Sequence, residues 1–304
     1  MLFLIFAFMK KAFIQLHIAI FLAGFTAILG KLINLNEGLL VWYRLLITVV
    51  TLFILNTNKG NLLKIELKDA LKFFGVGAIV AVHWVTFYGS VKYANVSVAL
   101  VCFSAAGFFT SFLEPLILKR QIILIEVVLG LLAIAGIYII FDFHPQYKLG
   151  IVFGIISALG MSLYPICNKD FVTRFSSKKI TFYVLTGGLI ALTLLVPLYL
   201  LQFPATHYLP AASDWGWLLI LALLCTVLSF EMQVNALKKI SAFTANLSYN
   251  LEPVYGIILA FIFFKENEEL NGHFYIGVGL ILLAVILQMY RVYYKSKKYK
   301  LPAS

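Results

Sequence analysis

The chain is built from long apolar runs separated by short polar breaks. Ten runs can be drawn, at residues 12–33, 38–56, 70–91, 95–118, 122–141, 149–168, 180–202, 215–236, 242–264 and 272–292. Polar residues gather between them, as at Asn34 to Glu37, Lys119 to Gln121, Ser176 to Lys179, Pro204 to Asp214 and Lys265 to Asn271. Within each run the apolar residues are continuous. That pattern excludes an outer-membrane barrel, whose strands alternate apolar and polar positions. About 20 apolar residues cross the hydrocarbon as a helix. A backbone in lipid has no water to bond, so each run predicts a membrane-spanning α-helix.

Composition adds exclusions. Of the 304 residues, 62% are apolar or aromatic and 12% are charged. A soluble domain carries about twice that charge, so a soluble enzyme is excluded, and the chain is too apolar for disorder. Ten helices would occupy roughly 210 residues, which leaves short loops and no room for a soluble domain. Cys102, Cys167 and Cys225 all lie within runs and form no Cys-x-x-Cys pair. They read as small apolar packing residues, and neither a metal nor a cofactor is expected. The stretch from Gly24 to Gly30-Lys31 has one residue too many for a phosphate-binding loop and ends in Leu32, so ATP-driven pumping by this chain is excluded. Asn95-Val96-Ser97 and Asn246-Leu247-Ser248 match the glycosylation pattern and read as chance.

The net charge of +11 fixes an orientation. With the N-terminus inside, 19 of the 24 Lys and Arg fall in cytoplasmic segments. Only Lys31, Lys92, Lys148 and Lys265 fall outside, and Arg44 lies within a run. This is the positive-inside distribution for an even number of spans, with both termini cytoplasmic. The basic charge therefore reads as topology and attraction to anionic lipid, and no nucleic-acid partner is expected. Residues 1–8 precede Met9-Lys10-Lys11, are too short to span, and lack the charged start of a signal peptide. Translation from Met9 and an extension of the first helix both fit.

The two halves of the chain are alike. Residues 91–120 align without a gap to 237–266, pairing Lys92 with Lys238, Ala99 with Ala245 and Lys119 with Lys265. One residue later in register, Gly130 meets Gly277. Five spans per half is an odd number, so the second half must be inverted relative to the first. The chain then divides into a five-helix unit at 9–143, a second at 147–292 and a basic cytoplasmic tail at 293–304. Inverted repeats are a transporter architecture, with the substrate held near the midplane between the halves.

These features resemble the EamA type of the drug/metabolite transporter superfamily. The most specific stretch is Leu251-Glu252-Pro253-Val254-Tyr255, then Phe264-Lys265-Glu266, then Gly277 and Gly279. The first half carries a looser copy in Leu113-Glu114-Pro115 and Lys119-Arg120, with Arg120 where the second half has Glu266. Arg44, in Trp42-Tyr43-Arg44, resembles a recurrent arginine of the family. The resemblance covers nearly the whole chain. It implies an all-α integral membrane protein of ten transmembrane helices in two inverted five-helix repeats. It also implies export or exchange of small metabolites, commonly amino acids, across the cytoplasmic (inner) membrane.

Ionisable groups within spans are costly in lipid and are the first candidates for a site. Arg44 cannot lose its proton and needs either a substrate carboxylate or a permanent partner on a neighbouring helix. Glu252 stands just before Pro253, which frees a backbone carbonyl; a proton or cation site and a structural kink are both open. Tyr249 and Asn250 share a polar stripe with Asn246 and Pro253. Glu231 and Asn235 lie one turn apart near the inner end of the eighth span, either lining an inner mouth or snorkelling to the interface. His83 and Trp84 lie mid-span, followed by Phe87 and Tyr88. Histidine titrates near neutral pH, while Trp84 and Tyr88 suit an apolar side chain. The resemblance adds that the third helix lines the family's central cavity and that His83 matches a central histidine of some amino-acid exporters.

The expected site is thus Arg44, His83, Trp84, Tyr88, Tyr249, Asn250 and Glu252, with Glu252, His83 and Glu231 as proton-coupling candidates. A lipid-modifying membrane enzyme is the alternative. Glu114 and Glu126 are expected to pair with the Lys119–Arg120 loop. The spacing of Gly150, Gly154 and Ala158 predicts close helix packing within a monomer and leaves a dimer open.

Overall fold

The computed structural model describes residues 2–56, 65–119, 121–143, 145–230, 232 and 251–298. Every regular element among them is helical. In chain order they are α1 (Leu2–Leu32), α2 (Glu37–Asn56), α3 (Leu67–Tyr93), α4 (Val96–Phe103), α5 (Ala106–Leu118), α6 (Leu124–Phe143), α7 (Lys148–Arg174), α8 (Ser177–Gln202), α9 (Ala212–Leu219), α10 (Glu252–Phe264) and α11 (Gly272–Lys298). A π-helical stretch, Ile220–Leu228, continues α9. Among the described residues six helical segments are long and apolar enough to cross a membrane: Phe13–Leu32, Glu37–Leu55, Leu67–Tyr93, Val96–Leu118, Lys148–Asn168 and Lys178–Gln202. Four shorter apolar helices accompany them, at Leu124–Ile140, Ala212–Leu228, Glu252–Phe264 and Gly272–Leu287. Each begins or ends within a few residues of an apolar run in the sequence, and α1 also takes in residues 2–8.

Polar groups sit where helices end. The Asn95 side chain accepts from the Val98 amide at the start of α4, which identifies it as a buried helix cap rather than a glycan acceptor. Glu266, fully buried, reaches the same helix end from beyond α10. Its Oε1 accepts from the Val96 amide at 3.0 Å and from Lys31 Nζ at 2.8 Å, and its Oε2 accepts from the Ser97 amide at 2.8 Å. One carboxylate thereby satisfies two of the amides that a helix N-terminus leaves unpaired. Asp214 does similar work, accepting from the Asn34 amide at 3.0 Å and the Ala211 amide at 3.2 Å. At the opposite end of α3, Asp69 holds Arg174 through two bonds of 2.8 and 2.6 Å. Glu126 pairs with Arg291 of α11 at 2.8 Å, so among the described residues its ion-pair partner lies on the last helix.

The bundle is assembled on small residues. α3 lies between α7 and α8, α2 lies against α8 and the π-helical stretch, α1 lies against α10, and α6 pairs with α11. At the α3–α8 crossing the backbones touch: a methyl on Gly77 would stand 2.3 Å from both the Gly188 nitrogen and the Val184 oxygen. At the α6–α11 crossing the contact is reciprocal, with Gly136 against the Gly277 carbonyl and Gly277 against the Gly136 carbonyl. Small residues permit this approach where lipid offers no hydrophobic drive between helices. The Gly150 and Gly154 stripe is used inside the chain, against Ala94 and Cys102. The exterior is apolar as well, with Ile54, Leu131, Leu194, Leu198 and Ile262 each more than half exposed, a surface suited to lipid.

α5 and α10 are matched in an unexpected way. Each has 13 residues, and each ends in a left-handed lysine, Lys119 at φ 52° and Lys265 at φ 54°. These are the two non-glycine residues with positive φ among the described residues. A bulky residue takes that conformation only under constraint, usually to close a helix end. The sequence alignment had paired the same two lysines.

Two measurements test this packing. Gly77→Ala should lower stability by about 3 kcal/mol, the upper part of the range for overpacking, because backbone blocks the added methyl. Gly75→Ala, with nothing within 4 Å of the added methyl, should cause no loss; thermal unfolding in detergent compares the two. Glu266→Gln keeps the shape but turns an amide NH2 toward a backbone N–H. It should cost about 2 kcal/mol, the scale of a charge-assisted hydrogen bond, read in the same assay.

Candidate functional site

Arg44 lies on α2 and is 5% exposed. Its guanidinium carbon sits 3.7 Å from the centre of the Trp84 ring, face-on, a cation–π contact whose strength rises when water is excluded. Nη1 donates to the Tyr88 hydroxyl at 2.8 Å, and Nε donates to Thr226 Oγ1 at 3.1 Å. Trp84 and Tyr88 are one turn apart on α3, so the ring and the hydroxyl face the same way.

The Thr226 hydroxyl passes its own proton onward, donating to the Leu221 carbonyl at 2.9 Å. That bond leaves the Thr226 lone pairs facing the guanidinium, and the Tyr88 oxygen likewise accepts from it. The two hydroxyls supply polarity but no negative charge. Among the described residues no carboxylate forms an ion pair with Arg44. A buried cation solvated only by neutral groups is costly and becomes cheaper once an anion joins it.

Tyr88 is fully buried, and its seat is made by α1. A methyl on Gly30 would stand 2.2 Å from its ring. The cluster therefore draws on four segments: α1 through Gly30, α2 through Arg44, α3 through Trp84 and Tyr88, and the π-helical stretch through Thr226. Sequence reasoning brought Arg44, Trp84 and Tyr88 together but missed Thr226 and Gly30. A hydroxyl in an apolar run is hard to tell from packing, and a π-helical wind leaves no mark in periodicity.

His83 lies apart from this cluster. It is one residue from Trp84, about 100° around the helix, and faces α7. Its Nδ1 is 2.9 Å from both the carbonyl and the hydroxyl oxygens of Ser157. Its ring stacks on Phe103 with centres 5.7 Å apart, and Gly160 packs against its Cβ.

Glu252 opens α10, where a carboxylate favours the helix dipole. Pro253 occupies the first turn of α10, where its missing N–H costs nothing. The Glu252 carboxylate has no hydrogen-bond or ion-pair partner among the described residues. Its backbone approaches Gly24 of α1. One turn on, Tyr255 lies 3.3 Å from His17 Nδ1, beside a groove of about 470 Å³ lined by Phe13, Ile14, Ile18 and Phe21. Glu231, Tyr249 and Asn250 fall outside the described residues, as do Asn235 and Asn246. Among the described residues no cluster of His, Cys, Asp and Glu has metal-binding geometry.

Comparison with known proteins identifies the class. The model of the EamA-like transporter family matches twice, at residues 10–142 and 148–290, and the chain belongs to that family. It is similar to an uncharacterized transporter of Haemophilus influenzae, 24% identical over 83% of this chain and 85% of the relative. It is also similar to the uncharacterized transporter YetK of Bacillus subtilis, 23% identical over 89% and 84%. A solved crystal structure covering 91% of this chain and 96% of its own superposes with a TM-score of 0.59 at 17% identity, a likeness of fold. The chain is thus a multi-pass transporter of the cytoplasmic membrane, and the lipid-modifying enzyme is set aside.

Gly30→Ala should displace the Tyr88 ring from Arg44 and cost about 1–3 kcal/mol. Gly107→Ala, into open space, should not. Unfolding midpoints of the two variants at matched detergent concentration check the difference.

Proposed function

We propose that this chain is a secondary carrier exporting small carboxylates that bear an apolar group, amino acids foremost, by alternating access. The observation that carries the reading is Arg44, a buried guanidinium held by two neutral hydroxyls and the face of Trp84. A substrate carboxylate supplies the missing charge, and Trp84 offers its apolar part a surface. Glu252, at a helix start and without a partner among the described residues, is the group to answer an amino group or a coupled proton. His83, bonded to Ser157, orients α3 against α7.

The same proposal includes ten spans in two inverted repeats, with both termini cytoplasmic. The twofold family match and the paired lysines at φ 52° and 54° support the repeat. So do the helix contacts, which come in pairs related by exchange of the halves. α1 with α10 answers α7 with α4 and α5, α3 with α8 answers α2 with the π-helical stretch, and α6 with α11 answers itself. Asp69 and Asp214 fit the same relation, each beginning one span and holding the end of another. The positive-inside bias makes the Asp69 end cytoplasmic.

Purified protein in liposomes should accumulate labelled L-amino acids with saturable kinetics. Trp84→Ala should raise KM about ten-fold, the loss of a desolvated cation–π platform. Arg44→Gln should abolish uptake of carboxylates, and Glu252→Gln should flatten the pH dependence of flux. Each is compared at equal reconstituted protein. Parent-like transport by all three variants would move the site elsewhere.

A further inference from the structure

Arg44 can serve a carboxylate only if its guanidinium is held at a fixed height and angle, and the structure shows what holds it. The π-helical wind over Ile220–Leu228 is nine residues long, well beyond the single-turn bulges in which π geometry usually appears. Its consequence is local: the Thr226 hydroxyl reaches back five residues to the Leu221 carbonyl at 2.9 Å. That bond spends the hydroxyl proton and fixes Oγ1 with its lone pairs toward α2, where it accepts from Arg44 Nε at 3.1 Å. Thr226 is itself fully buried, so no water competes for the position. With Nε held by Thr226 and Nη1 by Tyr88, the guanidinium plane is pinned over Trp84, and the edge bearing Nη2 meets no acceptor among the described residues.

We propose that Thr226 is a positioning residue for substrate recognition: by fixing Arg44 Nε, it presents the remaining edge of the guanidinium to the substrate carboxylate. The proposal rests on the reading of Arg44 as the carboxylate site, and it assigns the π-helical wind of this span a purpose in that site. An α-helical wind would turn the residue at this position by about 100° for each residue of register change and break the contact.

The test uses the full-length protein and two variants. Thr226→Val keeps the branched shape and removes the acceptor, while Thr226→Ser keeps the acceptor and removes a methyl. In protein labelled with nitrogen-15 at arginine Nε, the Arg44 signal is assigned by its loss in Arg44→Lys. Its Nε–H should exchange with solvent at least ten-fold faster in Thr226→Val than in the parent, and within two-fold of the parent in Thr226→Ser. In liposomes, with L-leucine as the probe, Thr226→Val should raise KM about ten-fold with kcat within two-fold, and Thr226→Ser should restore it. An unchanged Arg44 exchange rate in Thr226→Val overturns the proposal whether or not L-leucine is carried. So does an unchanged KM in Thr226→Val when Arg44→Gln abolishes uptake. If Arg44→Gln and the parent handle L-leucine alike, the carboxylate reading fails, and the exchange rates still decide whether Thr226 positions Arg44.

Discussion

A peptide group in hydrocarbon has no solvent to fall back on, and the whole arrangement answers to that constraint. It fixes the fold as helices, and it makes every helix end a problem needing a dedicated partner. Glu266 is the clearest solution. A loop residue far along the chain is buried completely so that its two oxygens can take the first amides of α4, while Lys31 balances its charge. Asn95 helps close the same end locally, and Asp214 takes the Ala211 amide beside it and the Asn34 amide across the bundle. Because Glu266 and Asp214 reach distant segments, satisfying a helix end also ties two parts of the bundle together.

Arg44 contrasts with these carboxylates. The acidic residues Glu266, Asp214 and Asp69 are each matched to donors, whereas among the described residues the guanidinium in the middle of the bundle meets dipoles and a ring. Such an imbalance is expensive in a static structure and useful in one that must accept and release an anion.

Much of the fold was legible because the lipid imposes so plain a pattern. The run at 38–56 became Glu37–Asn56, and the run at 95–118 became Val96–Leu118 apart from a tightened turn near Ser104 and Ala105. Lys119 and Lys265, paired in the sequence alignment, share a left-handed helix end that no propensity would suggest. Side-chain partnerships were less legible. His83 and Trp84 are neighbours in sequence, yet one faces Ser157 and the other faces Arg44, and only the packing of α3 decides which. Glu126 was expected to pair with the Lys119–Arg120 loop, and among the described residues it pairs with Arg291 on an adjacent helix. Asp69 and Asp214 carried a signal that could have been used, since each begins the third span of its half.

The fixed charge of Arg44 has an electrical consequence. On the proposed carrier reading, the guanidinium adds a unit of positive charge to the site; a substrate with one net negative charge cancels it, whereas a zwitterionic amino acid leaves it unchanged. A membrane potential, negative inside, acts on that difference. It is worth about 2.3 kcal/mol per 100 mV for a charge that senses the full drop. The empty protein is then drawn toward the state open to the cytoplasm, while a protein loaded with a net anion feels little of the field. On that reading a resting voltage returns the unloaded carrier to the cytoplasmic side, and net-anionic and zwitterionic cargoes differ in how strongly the voltage opposes their outward step.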